Sequence, residues 1–326
     1  MTKRSVLNLT VKGSRVIILL LLFIVFSLAS EQFWGPGNWE NILNIMQQQA
    51  PFLIMLALSM TLIIITCGID LSLGASISLS SYLAAMVLVR TNSVTAAIVT
   101  ALAVGIAVGI ANAVLITYIH VPAFVATFSM QWICKGIVLI VSRGNQIYNL
   151  GENFRELFNA NRFTYLIVAL VCIAATAFLL SKTVFGKEAY YVGCNPVAAS
   201  MTGVNASRIL VTVFALSGTI SAVTGLMYIA NLGTADPTMG NSFPLRAIAA
   251  ALVGGASLGG AKGKATDALV GAFIMVTLQN GMIHIGVPSI WQDFIQGVII
   301  ILAIVLERCF KRIQIHETAK KEETTT

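Results

Sequence analysis

The 326-residue chain is poor in charge: 10% of its residues are Asp, Glu, Lys or Arg, against roughly 25% in ordinary soluble domains. With 57% hydrophobic residues beside so few charges, a soluble fold of this size could not solvate its own surface. It is poor in catalytic groups too. The three histidines are His120, His284 and His316; the first two fall at expected helix mouths and the third in the tail, so no His–carboxylate or Ser–His constellation forms at membrane depth and an enzyme is not expected. Five cysteines, Cys67, Cys134, Cys172, Cys194 and Cys309, include no CxxC pair and no regular spacing, and read as reduced and structural rather than as metal ligands. There is no G-x-x-x-x-G-K-[ST]: Lys262 follows Ala261, Lys264 precedes Ala265 and Lys187 precedes Glu188. The chain therefore does not cradle a nucleotide phosphate by that route.

What is present is a series of apolar runs of about 17 to 25 residues, the length that crosses a bilayer as a helix. They predict spans near 16–30, 49–66, 73–89, 94–118, 122–141, 163–181, 208–231, 245–256, 266–283 and 288–306. The eighth is too short to cross alone; it is completed by its flanks or is a helix broken where it lines a cavity. The fold expected is thus an all-α integral membrane protein of about ten helices, with a segment 1–15, a membrane domain 16–306 and a charged, disordered tail 307–326. The 26 glycines suit helices packed closely in lipid. The first run, with its cationic start and small-residue end Ser27-Leu28-Ala29-Ser30, also resembles a signal peptide. A retained helix is favoured because it gives the loops a consistent charge bias.

The net charge of +7 does not point to nucleic acid, because the basic residues lie between apolar runs rather than along one helix face. With the N-terminus in the cytoplasm, inner segments hold 14 of the 20 Lys and Arg, which by the positive-inside rule puts both termini on that side. Trp34 and Trp39 suit an aromatic anchor at the outer interface. A faint echo links YIHVPAFVATFSMQW at 118–132 with HIGVPSIWQDFIQG at 284–297. Each sets Val-Pro at the mouth of a helix, and the fifth and tenth spans run in opposite directions, as an inverted repeat of two five-helix halves requires.

The inner loop 181–207 carries its own helix instructions. Asn195 is a favoured N-cap, Pro196 suits the first helical position, and Gly203 closes about two turns in a left-handed C-cap. Such a helix is marginal alone and needs a surface to dock on. Val197 and Met201, four apart, give it one apolar edge.

This loop resembles the cytoplasmic coupling segment of ribose-type ABC transporter permeases, FG-x(6)-G-x-N-x-x-AA-x(3)-G, at Phe185, Gly186, Gly193, Asn195, Ala198, Ala199 and Gly203. The similarity extends to GIDLSLG at 68–74, PAFVATFSM, LGTADPTMG, AIAAALVGGASLGGAKG at 247–263 and GVPSIWQDFIQG at 286–297. Cys67 stands where the family usually has Gly, and Pro244-Leu245-Arg246 replaces Glu-Leu-Asp. The resemblance implies an importer of a sugar or sugar-like solute in the bacterial inner membrane. Its expected partners are a second permease, identical or a sister, two ATPase domains that bind ATP and Mg, and a periplasmic or lipid-anchored solute-binding protein; this chain itself holds no cofactor or metal. An ion-coupled secondary carrier is the alternative, although the spans offer few acids or histidines as coupling sites.

Within the membrane, Gly68 breaks the second helix and Asp70 or Ser72 caps the third. An acid at this place is costly unless capped or paired, and a structural turn is favoured over gating. Gly254, Gly255, Gly259, Gly260 and Gly263 with Lys262 and Lys264 read as a flexible inner loop. Lys135 is expected to pair with Asp293 and fix the fifth helix against the tenth. Gln47, Gln131, Asn280 and Trp291, with Asn44, Gln48, Gln279 and Gln292 beside them, could line a sugar path or bond helix to helix.

Overall fold

In the computed structural model, residues 3–35, 39–159, 161, 163–292, 294–299, 301, 302 and 305 are described. Helices α1 (Lys3–Ala29), α2 (Glu31–Trp34) and α3 (Glu40–Asn44) lead through one π-helical turn (Ile45–Gln49) into α4 (Ala50–Ile65). Then come α5 (Leu73–Thr91), α6 (Val94–Thr117), α7 (Ala123–Ser142), β1 (Ile147–Tyr148), α8 (Glu152–Asn159) and α9 (Thr164–Lys182). The remainder is α10 (Val184–Cys194), α11 (Pro196–Met201), α12 (Ala206–Leu232), β2 (Thr234–Ala235), α13 (Phe243–Gly254) and α14 (Ala265–His284). Residues 289–292 and 294–299 are also helical.

Among the described residues, seven helices are long and apolar enough to cross a membrane: Glu40–Ile65, which joins α3 and α4, and α5, α6, α7, α9, α12 and α14. The expected first and eighth spans are shorter apolar helices, Arg15–Ala29 and Phe243–Gly254. The expected tenth span includes residues outside the described ones, as does the whole tail 307–326.

The centre is α4, whose every residue is buried. A helix apolar on all sides lies inside the bundle, and α9, α12, α13 and α14 surround it. Outside this centre α12 lies along α6 so closely that a Cβ on Gly105 or Gly218 would collide with the other's carbonyl oxygen. Where no apolar gain separates helix from lipid, backbone contact of this kind holds helices together. The outer faces of α6, α7 and α9 stay apolar and exposed, with Ile140 78% and Val171 61% accessible.

Two connections of the interior share one local design. After α4 the chain runs as an irregular segment through residues 66–72, and after α12 through 233–242. Both segments solve the backbone problem alike. Asp70 Oδ1 accepts from Ser72 N at 2.9 Å and Ser72 Oγ at 2.7 Å; Asp236 Oδ1 accepts from Thr238 N at 2.7 Å and Thr238 Oγ1 at 2.8 Å. Four residues after each aspartate comes a glycine, Gly74 or Gly240, and these two meet backbone to backbone with no room for a Cβ on either. Asp70 and Asp236 are 166 positions apart, as are Gly74 and Gly240. The same interval separates Cys67 from Gly233 and His120 from Gly286, all four left-handed, and Val121-Pro122 from Val287-Pro288.

At one end of the bundle β1 pairs with β2 in antiparallel register, Ile147 opposite Ala235. Tyr82 donates to the Asn145 carbonyl there at 2.9 Å, and Ser78 donates to the Pro237 carbonyl at 2.8 Å. At the other end Arg15 of α1 donates to the Gly254 carbonyl, and its Nη1 lies 4.0 Å from Asp267. A cation at the C-terminus of α13 and an anion in the first turn of α14 both suit the helix dipoles.

Replacing Gly74 with Val forces apart two backbones that touch, where ordinary overpacking already costs about 1–3 kcal/mol. Gly74→Val is expected to lower the detergent melting temperature and the monodisperse yield on size-exclusion chromatography. Gly136→Val, at an α7 position with open space around it, should leave both close to the parent values.

Candidate coupling site and solute cavity

The loop helix forms as its caps direct. The Asn195 side chain accepts from the N–H groups of Val197 at 3.0 Å and Ala198 at 3.1 Å, and Pro196 takes the first helical position of α11. Gly203 follows at φ +89°, and Val204 N closes back on the Ala199 carbonyl at 3.1 Å. A side chain at that φ would strain the turn, so Gly203 carries the C-cap. Ala199 is turned inward, while Val197 and Met201 are 70% and 85% exposed.

What holds this arm is not visible in the loop itself. Gly186 fits under the carbonyls of Leu179 and Leu180 at the end of α9, and Phe185 packs on the main core. Gly193 lies against Ile65 and Ala261, so that a Cβ would overlap the Ile65 carbonyl oxygen. That same carbonyl accepts from Ala261 N at 2.8 Å. Tyr190 donates to the Gly263 carbonyl at 2.7 Å; burial, and after it the Asp267 carboxylate, push the phenol up from its ordinary value. The phenol therefore keeps the proton it donates. Three segments that the sequence presents separately, the arm 184–203, the end of α4 and the glycine loop 255–264, form one joint.

Asp70 lies inside the bundle, 4% exposed. Besides Ser72, Ser217 Oγ reaches it at 3.4 Å, Ser59 and Ser217 share a 2.7 Å hydroxyl contact, and Asn112 donates to Ser72 Oγ at 2.7 Å. Hydroxyls and amides surround the carboxylate, tying α4, α5, α6 and α12 to one turn.

The other polar candidates separate. Asn280 is paired reciprocally with Asn41 at 2.9 and 3.1 Å and bonds helix to helix. Gln47 is buried with an unpartnered Nε2. Lys135 sits 5.1 Å over the Trp132 ring on α7, Gln131 is half-buried beside it, and Trp291 is exposed. Asp293, the expected partner of Lys135, lies outside the described residues.

A cavity of about 240 Å³ opens at the β1–β2 end between α4, α12, α13 and α14. Its aromatic wall is a stack, Phe52 to Tyr228 at 4.3 Å and Tyr228 to Phe243 at 4.9 Å. Gln48 and Gln279 from the polar set line it, with Asn231 and Arg246. Sequence reasoning missed Arg246 as a lining residue; its unusual place in a Pro-Leu-Arg step was the available signal.

The sequence profile described as the permease component of branched-chain amino acid transport systems matches residues 41–304. The chain belongs to that family. The permease is 38% identical to the ribose import permease protein of Bacillus subtilis strain 168 over 295 residues, 89% of this chain and 90% of the relative. It is 34% identical to the ribose import permease protein of Escherichia coli K12 over 305 residues, 90% and 92% of the two chains. It is 28% identical to the autoinducer 2 import system permease protein of Yersinia pseudotuberculosis over 299 residues, 91% and 84%. No solved structure matches it. As a permease component it is a multi-pass membrane protein and a translocation subunit, not an enzyme, and nothing among these relatives favours an ion-coupled carrier.

Gly193→Val is expected to lift the arm from the end of α4, so that trypsin cuts at exposed Lys187 several-fold faster in purified protein. Asn195→Ala, which removes only a cap, should cost about 1 kcal/mol and change that rate less.

Proposed function

We propose that this permease is the membrane-spanning subunit of an ATP-binding-cassette importer that moves a sugar or sugar-like solute into the bacterial cytoplasm. Two ATPase domains on separate chains bind ATP and Mg and dock on α11. A second permease, identical or a sister, completes the pathway, and a periplasmic or lipid-anchored binding protein delivers the solute. The names of the ribose and autoinducer 2 relatives support this class of cargo. The single observation that carries the coupling role is the arm itself: two bulky apolar side chains, Val197 and Met201, presented to solvent on a helix held by a backbone-tight joint.

The joint suggests how force travels. α13 starts beside the cavity with Phe243 and Arg246 and ends at Gly254, where the glycine loop begins. Twelve residues make a rod of about 18 Å. Its lower end meets Gly193 through Gly260, and its upper end follows the Gly74–Gly240 contact. A shift of α10–α11 therefore reaches the cavity wall through the glycine loop 255–264 and α13.

The basic residues Arg15, Lys187, Arg208, Lys262 and Lys264 belong to the joint's end, which we assign to the cytoplasmic face of the inner membrane with both termini. The repeated 166-residue interval supports ten helices built as two inverted halves, 307–326 forming a cytoplasmic tail.

Tagged permease purified from its own host's membranes should bring an ATPase with it. Val197→Asp combined with Met201→Asp, or Gly203→Val alone, should reduce that capture about tenfold or more while leaving the amount in the membrane unchanged. An unmodified permease that captures no ATPase, or variants that capture it as well as the parent, would refute the assignment.

A further inference from the structure

Resting on the importer reading, we propose that the cavity between α4, α12, α13 and α14 holds the solute in transit, and that Arg246 makes it select a single-ring polyol bearing a carboxylate. The chemistry of the wall is specific in kind. Phe52, Tyr228 and Phe243 supply an apolar aromatic side against which the C–H face of a sugar ring can pack. Gln48 and Gln279 supply amides that donate and accept toward hydroxyls. At about 240 Å³ the space is below the roughly 300 Å³ where pockets for drug-sized ligands begin, which suits one ring and not two.

Arg246 sets the charge. It is half-buried, and its Nε is enclosed without a hydrogen-bond partner. Among the described residues no Asp or Glu lines the cavity, and the ion pair found among them, Arg15 with Asp267, lies at the opposite end of α13. A half-buried guanidinium with no anion beside it among the described residues leaves its fork free to meet one. Its planar fork matches a carboxylate with two parallel hydrogen bonds, which a neutral hydroxyl cannot form. Arg246 is here a specificity-determining residue, supplied by the same helix whose far end reaches the coupling joint.

The test uses the full-length permease in phosphatidylcholine nanodiscs, where no anionic lipid competes. Saturation-transfer NMR is recorded with D-glucuronate and D-glucose, two pyranoses that differ in a carboxylate. Glucuronate should take up saturation about tenfold more strongly than glucose, the size of one good charge-assisted contact. Arg246→Gln should bring the two sugars level by lowering the glucuronate signal about tenfold, and Arg246→Lys should keep part of the preference because it keeps the charge. Equal transfer to both sugars in the unmodified permease overturns the proposal, as does transfer to neither, or a preference that survives Arg246→Gln. These outcomes are separate from ATPase capture: loss of capture sinks the importer reading, whereas level binding of the two sugars sinks the selectivity of Arg246 alone.

Discussion

Lipid offers no hydrogen bonds, so a chain that breaks a helix at membrane depth must cover the break with its own groups. The permease has two such irregular connections, 66–72 and 233–242, and they touch at Gly74 and Gly240. Asp70 and Asp236 take up the N–H and hydroxyl groups of the residues two places on, and the glycines that follow, Gly74 and Gly240, press backbone on backbone. Everything central to the bundle is arranged around this meeting: α4 leads into one turn, α12 into the other, and α5 and α13 start from them.

Local chemistry was legible in the sequence, while contacts between distant segments were not. Asn195, Pro196 and Gly203 define α11 because a cap acts within three or four residues, and the structure reproduces each contact. The eighth segment was legible as too short to cross a bilayer alone, with completion by its flanks or a break both open, and the structure gives it as the twelve-residue helix Phe243–Gly254. By contrast, Gly193 gives no sign of what it touches. Its role depends on Ile65 and Ala261, some 130 and 70 positions away, and no periodicity encodes that meeting. Gln131, Asn280 and Trp291 show the same limit: a polar residue in an apolar run has the same appearance whether it faces a path, another helix or the outside.

The repeat was half legible. Val-Pro recurs visibly before two helices, but the stronger correspondence, Asp-x-Ser/Thr-x-Gly at 70–74 and 236–240, is hidden by different flanks. GIDLSLG is apolar, whereas TADPTMG carries a proline and reads as an ordinary turn. Only the shared hydrogen-bond pattern and the common interval reveal them as equivalents. Cys67 follows from the same comparison. It occupies a left-handed position, φ 63°, whose counterpart is Gly233 at φ 70°, and a non-glycine residue there accepts some backbone strain. Its Sγ lies 3.6 Å from the Leu258 carbonyl, so the side chain adds a contact to the joint that a glycine would lack.

These arrangements also explain why so polar a residue as Asp70 is kept in the interior. Its ring of serines and Asn112 joins four helices, and every member is short and tightly placed, so the turn cannot shift without moving all of them. Such a node resists local melting, because a carboxylate stripped of its donors in lipid is worse than one left in place. The arm 184–203 meets the bundle through close glycine contacts, the Tyr190 hydrogen bond and the buried side chains of Ala189, Val192 and Ala199. A permease driven from outside the membrane needs this distribution: a stiff centre that preserves the path, and a joint at its edge able to turn movement of a partner into movement of α13 and the cavity wall it carries.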